Sequence, residues 1–141
     1  MTYESAMSDL QAAVYAKITA DTGTGGLLAA GAPMISGVFD EVPEGQAFPY
    51  ITIGDNTELP WSTFGKDGNN EVLTLHIWSQ AKGFREAELI LKRLNVVLKG
   101  DLTISGNVHA GTNYEGADTS RDPDGITRQI IARYRVYVQE S

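Results

Sequence analysis

The chain has 141 residues, 42% of them apolar and 21% charged, which is the range of a soluble globular protein. Its length predicts one domain over residues 1–141 with enough buried surface for a core. It has no cysteine, which excludes disulfides and thiolate chemistry. No apolar run is long enough to span a membrane, and the first residues lack the apolar centre of a signal peptide, so we expect cytoplasmic synthesis.

The net charge of −7 lies almost entirely in the first part of the chain. Residues 1–60 contain eight acidic residues and one lysine, whereas residues 61–141 contain ten residues of each sign. A protein that grips duplex DNA should have a basic patch, because lysine and arginine neutralise phosphates. The charge pattern therefore argues against DNA binding, and an ordinary acidic surface explains it equally well.

The first half of the chain predicts one helix and two strands. Residues 4–20 carry apolar side chains at helical spacing, and a glycine-rich run from Thr22 ends that helix. A short strand is predicted over Ile35–Phe39. A second strand is predicted over Tyr50–Gly54, where isoleucines alternate with polar residues.

The stretch Asp55–Asn70 is predicted to leave the sheet as a long loop, because it is rich in proline, glycine and asparagine. Long ordered loops are uncommon unless they have a function. Trp61 and Phe64 are its large apolar residues. They either fold back on their own sheet or contact another chain.

The stretch Glu71–Gly100 organises the fold. Residues 71–80 alternate, with Leu73, Leu75 and Ile77 on one side, which predicts a strand with one buried face. From Phe84 the apolar residues recur every three or four positions, which predicts an amphipathic helix that ends at Gly100. This strand and this helix can bury each other.

The last part predicts two strands joined by a turn. One strand covers Val108–Tyr114 and the other covers Thr127–Gln139. Between them, the sequence Arg121-Asp-Pro-Asp-Gly has the proline and glycine typical of a turn. The elements together predict an α+β fold, an antiparallel-rich mixed sheet with two helices packed on one face.

The other face of this sheet is unusually aromatic for a surface that meets only water. Tyrosine, tryptophan and arginine are enriched at the centres of protein interfaces. We therefore predict a contact surface, although a solvated face with scattered aromatic residues is the alternative. Its predicted members are Tyr50, Thr52, Thr74, His76, Trp78, Ile131, Arg133, Arg135 and Tyr137.

No catalytic, cofactor-binding or metal-binding pattern is present. The two histidines, His76 and His109, lack the spacing of metal ligands and are interpreted as structural. Asp122 and Asp124 flank a proline, and a turn is a commoner use of that sequence than a calcium site. We predict no enzyme activity and no cofactor.

Four stretches of the sequence resemble the tail-terminator, or tail-completion, proteins of long-tailed bacteriophages and related gene-transfer particles. They are Pro49–Gly54 with the later Trp61-Ser-Thr, then Leu73–Ser79, Gly83–Ala87 and Arg121–Thr127. They occur in order and cover about residues 5–138. The glycine-rich run from Gly23 to Gly31 departs from the resemblance.

The resemblance implies a virion protein that is assembled in the host cytoplasm. Such a protein forms a ring, usually a hexamer, on the head-proximal end of the tail tube. The ring stops tube polymerisation and joins the head connector, and DNA passes through it without specific binding. The implied partners are further copies of the chain, the tail tube protein and a connector or stopper protein.

The contact residues of such a ring are predicted from the loop, the turn and the second sheet face. They are Trp61, Phe64, Lys66, Trp78, Arg121, Asp122, Asp124, Arg133 and Arg135. Two other functions stay open at this stage. One is another head-to-tail joining component, such as a stopper or adaptor, and the other is a small oligomeric enzyme.

Overall fold

The computed structural model describes residues 4–62 and 65–140. Its helices are α1 (Met7–Thr19) and α2 (Arg85–Lys99). Its strands are β1 (Val38–Phe39), β2 (Tyr50–Pro60), β3 (Gly68–Ser79), β4 (Asn107–Arg121) and β5 (Arg128–Glu140). None of the helices in these residues is long and apolar enough to cross a membrane.

The strands form one five-stranded sheet in the order β1-β2-β3-β5-β4. β1 is parallel to β2, and the remaining neighbours are antiparallel. The predicted α+β class and the antiparallel-rich mixed sheet are therefore confirmed.

Both helices pack on one face of the sheet, here called the inner face. The alternating residues of β3 and β5 that face them are buried because successive side chains of a strand point to opposite sides. In α2 the buried residues recur at helical spacing, as predicted. The core combines Leu10, Val14 and Ile18 of α1, Ala87, Ile90 and Leu94 of α2, Leu73, Leu75 and Ile77 of β3, and Ile130, Ala132, Tyr134, Val136 and Val138 of β5.

The prediction of a long loop over Asp55–Asn70 is wrong. β2 continues to Pro60 and β3 begins at Gly68, so the connection is short. A shift of the β2–β3 register between Ile53 and Asn56 accommodates the polar residues that suggested a loop. The two strands thus form a hairpin that extends well past the predicted end of the sheet.

The last hairpin is also longer than predicted, because β4 continues to Arg121 rather than ending near Tyr114. β4 is an edge strand, and its side chains are mostly half-buried or exposed, so it lacks the alternation that marks a buried strand. Its pairing with β5 holds it in the sheet, with register shifts near Gly111 and Gly116.

A carboxyl group is buried on the inner face of β3. Glu71 lies two residues before Leu73, on the same side of the strand, and its side chain is fully buried. Glu58 lies directly opposite on β2, and its Oε2 accepts a hydrogen bond of 2.9 Å from the backbone N–H of Ala6 at the start of α1. Burial, and then hydrogen bonding to the Glu58 carboxyl group and its charge, raise the pKa of Glu71 to about 8.

Candidate interaction surface: the outer face of the sheet

The face of the sheet opposite the helices is here called the outer face. In the described residues no helix covers this face. All nine of its predicted members are half-buried, whereas the residues that alternate with them along the strands face the core. The register aligns them in rows, because Trp78 lies beside both Tyr50 and Gln129, and His76 lies beside both Thr52 and Ile131. The predicted membership of this face is confirmed.

One end of the outer face is aromatic and held in place by hydrogen bonds. The indole Nε1 of Trp78 donates to Thr52 Oγ1 at 3.0 Å, and its ring is nearly parallel to that of His76 at 6.0 Å between centroids. His76 Nδ1 donates in turn to Gln129 Oε1 at 2.9 Å. These contacts give Trp78 a defined orientation although it is part of the surface.

Two phenylalanines extend this aromatic end, and the sequence analysis did not assign them to it. The ring of Tyr50 lies 4.8 Å from that of Phe48 and 6.0 Å from that of Phe39. The run Phe48-Pro49-Tyr50 was the available signal, but Phe48 lies outside a strand, so strand alternation could not place it.

The middle of the outer face presents arginines that are paired within the sheet. Arg133 Nη1 lies 2.9 Å from Asp118 Oδ2, and Arg135 forms an ion pair with Glu115. Arg135 Nη1 also donates to Asn70 Oδ1 at 3.0 Å. Pairs this exposed stabilise a fold only weakly, but they hold the guanidinium groups in position. Asp118 and Glu115 were missed because β4 was predicted too short.

The third part of this surface is the tip of the β2–β3 hairpin. Trp61 folds back on its own sheet, where its ring lies 5.0 Å from that of Tyr137. Trp61 therefore packs on its own sheet, and its contact with another chain stays a prediction. Lys66 is exposed at the tip, and Phe64 lies outside the described residues.

The predicted turn after β4 is confirmed, and its acidic residues hold the backbone together. Asp122 Oδ1 accepts from the N–H of Asp124, whose Oδ1 accepts from the N–H groups of Ile126 and Thr127 at 2.8 and 2.7 Å. Hydrogen bonds from the Thr127 side chain and backbone hold the pKa of Asp124 below its usual value.

Arg121 points away from this turn towards the start of α2. Its guanidinium carbon lies 5.0 Å from the ring centroid of Phe84, in cation–π contact. The structure therefore separates Arg121 from Arg133 and Arg135, which lie on the outer face.

Nothing in the described part of the chain resembles a catalytic centre. His109 accepts from the N–H of Leu102 through Nδ1 and donates through Nε2 to Thr112 Oγ1 at 2.6 Å, and burial lowers its pKa. Residues 4–62 and 65–140 contain no group of three or more histidine, cysteine or acidic residues that could hold a metal. The prediction that His109 is structural agrees with these contacts.

The fold and this surface together define the class of protein. It is a small α+β protein in which helices pack on one face of the sheet and ordered aromatic and arginine side chains lie on the other.

Residues 12–139 match the family described as tail completion protein gp17. The chain belongs to this tail completion family, because the match spans most of its length. The tail completion protein gp17 of Bacillus phage SPP1 is 21% identical over 108 residues, which are 77% of this chain and 81% of that protein. The predicted family is confirmed.

Two solved structures share the fold. A chain from the virion of a native gene transfer agent particle has a TM-score of 0.81 and 24% identity over 97% of this chain and 99% of its own. Bacteriophage SPP1 gp17 has a TM-score of 0.60 and 24% identity over 95% of this chain and 91% of its own. The family consists of structural proteins of tailed particles, so the alternative of a small enzyme is wrong.

Proposed function

We propose that this protein forms a ring on the head-proximal end of the tail tube, where it stops tube polymerisation and provides the joint to the head connector. Membership of the tail completion family is the observation that carries this proposal. It is supported by a sheet whose outer face is rich in the residue types of protein interfaces.

Termination by such a ring is a matter of shape rather than chemistry. A ring of identical subunits needs two different surfaces on each copy, because head-to-tail contacts close by rotation. One side of the ring must match the last layer of the tube, and the other must offer nothing to which another tube subunit can add.

We assign the contacts with neighbours to three regions. Trp78, Arg133 and Arg135 contribute from the outer face, where hydrogen bonds and ion pairs already orient them. Lys66 contributes from the hairpin tip, and Trp61 contributes beside it, where its ring packs on Tyr137. Phe64 is also assigned to these contacts from the sequence alone, because it lies outside the described residues. Asp122 and Asp124 contribute from the rim turn that their hydrogen bonds hold together, and Arg121 contributes from the end of β4 beside it.

The acidic first part of the chain suits a channel for DNA. If a part of residues 1–60 lines the lumen, its acidic side chains repel phosphate, so that DNA can pass without adhering.

The test is a tube polymerisation assay. Tail tube protein polymerised alone should give long tubes of variable length, and addition of this protein should cap one end and shorten the length distribution in negative-stain images. Tubes that keep growing in its presence would refute termination.

Particles that lack this protein provide the complementary test. Abnormally long headless tubes are expected for a missing terminator. Tails of normal length beside leaking heads would instead identify a stopper or adaptor.

A further inference from the structure

Helix α2 carries a row of alternating cationic and apolar side chains on the side turned away from the sheet. Leu89 and Val96 are 43% and 58% exposed, and the cations between and beside them are also exposed. Residues three and four apart share one helix face, so these side chains form a continuous line. We call this row the α2 stripe: Arg85, Leu89, Lys92, Val96 and Lys99.

The cations of the α2 stripe have no partner within the described chain. None of the three takes part in an ion pair or hydrogen bond there, whereas Arg93 on the adjoining side of the helix binds Asp21 through two nitrogens. The α2 stripe is therefore an exposed surface whose positive charges are not paired with acidic side chains of the same described chain.

An acidic segment with the complementary pattern follows β1 at the edge of the sheet. Asp40, Glu41 and Glu44 are exposed, and in the described residues none of them has an ion pair or a side-chain hydrogen bond. Val42 lies between them and is half-buried. Residues 38–60 contain five acidic residues and no lysine, arginine or histidine, so no cation of this segment neutralises them. We call residues 40–44 the acidic loop.

The dimensions of the two surfaces agree. Lys92 and Lys99 are seven residues apart, which is about 10 Å along a helix at 1.5 Å per residue. Glu41 and Glu44 are three residues apart, so their Cα atoms are separated by at most about 11 Å. The acidic loop, which bends at Glu41 and turns at Glu44, can therefore set two carboxylates against two successive cations with an apolar residue between them. Lys92-Val96-Lys99 is the better match, because Val96 is the more exposed of the two apolar residues.

We infer that the acidic loop of one copy docks on the Lys92-Val96-Lys99 part of the α2 stripe of the next copy. Glu41 and Glu44 face the two lysines, and Val42 lies against Val96. The contact joins two different surfaces, as the head-to-tail contacts of a closed ring require. This inference rests on the proposed ring and adds a contact between its subunits to the three regions assigned above.

Charge reversal tests the inference without disturbing the core, because all the altered residues are exposed. Lys92→Glu/Lys99→Glu and, separately, Glu41→Lys/Glu44→Lys should each weaken self-association on tube ends at least tenfold at low salt. An equimolar mixture of the two variants should assemble again, because each acidic loop then meets a stripe of opposite charge. A single chain with all four changes has the net charge of the wild type and should also assemble.

Lys82→Glu is the matched control, since it reverses an exposed lysine outside the stripe and should leave assembly unchanged. Assembly of both double variants at the wild-type level would overturn the inference. So would loss of assembly in each variant without recovery in the mixture.

The absence of cysteine in the natural sequence allows a direct test of proximity. In Val42→Cys/Val96→Cys, oxidation of capped tubes should give a ladder of covalent multimers on a denaturing gel. Tubes that are capped normally but yield only monomers would overturn this contact and leave the proposed function intact. Tubes that the wild-type protein fails to cap would instead overturn the proposed function.

Discussion

Replacing Glu71 by glutamine should stabilise the protein increasingly as the pH rises. The Glu71 carboxyl group is fully buried opposite the carboxyl group of Glu58. Its pKa in the folded protein is therefore raised to about 8, while an unfolded chain would have the ordinary value of 4.5. Glutamine has nearly the same shape and carries no charge at any of these pH values.

The expected magnitude follows from the difference between these two pKa values. For a carboxyl group whose pKa is raised by folding, the favourable contribution is complete below the unfolded value and declines as the pH rises towards the folded value. Each pH unit in this window changes the free energy of unfolding by about 1.4 kcal/mol. Between pH 4.5 and pH 7 the wild type should therefore lose about 3 kcal/mol relative to Glu71→Gln.

Urea denaturation of both proteins at several pH values measures this difference. The buried amide that replaces the carboxyl group adds an offset to the difference in the free energy of unfolding, but that offset does not vary with pH. The exposed Glu88, changed to glutamine, is the control and should show no such trend. A difference between wild type and Glu71→Gln that stays constant from pH 4.5 to pH 8 would refute the reasoning, because it would mean that Glu71 is ionised in the folded protein.

Four further outcomes are expected. Asp21→Asn should lower the free energy of unfolding by about 2 kcal/mol at pH 7; this loss should shrink in acid only as the pH falls from the ordinary value of 3.8 through the lower pKa that the hydrogen bond from Arg93 gives Asp21 in the folded protein. Tyr134→Phe should cost about 1 kcal/mol in chemical denaturation, since it removes the 2.6 Å hydrogen bond from the hydroxyl to Asn95 Oδ1. Trp61→Ala should weaken ring formation on tubes more than it lowers the melting temperature, and the reverse order would make Trp61 an ordinary packing residue against its own sheet. Duplex DNA should show no salt-sensitive micromolar binding in fluorescence anisotropy at low salt, and such binding would contradict a non-adhesive lumen.

Local periodicity carried most of the information that the sequence held about this fold. The alternation in β3 and β5 identified both faces of the central sheet, and the helical spacing after Phe84 identified the buried side of α2. These features depend only on backbone geometry within one element. The turn at Asp122–Gly125 was predictable for the same reason. Proline fixes its own φ angle and glycine can adopt a positive φ, so both favour a turn through local backbone geometry.

Features that depend on a distant partner were not predictable. β4 has no buried stripe of its own, and only its pairing with β5 makes it a strand through Arg121. The polar stretch after Ile53 was predicted to be a loop. In the structure it continues β2, with a register shift against β3.

The sequence by itself determined the fold class, the sides that β3, β5 and α2 bury and the resemblance to tail completion proteins. The tertiary structure alone decided the strand order, the contact of Trp61 with Tyr137 and the position of Glu71 opposite Glu58. The reason is physical: periodicity acts within an element, whereas pairing and burial depend on which segments meet after the chain has folded.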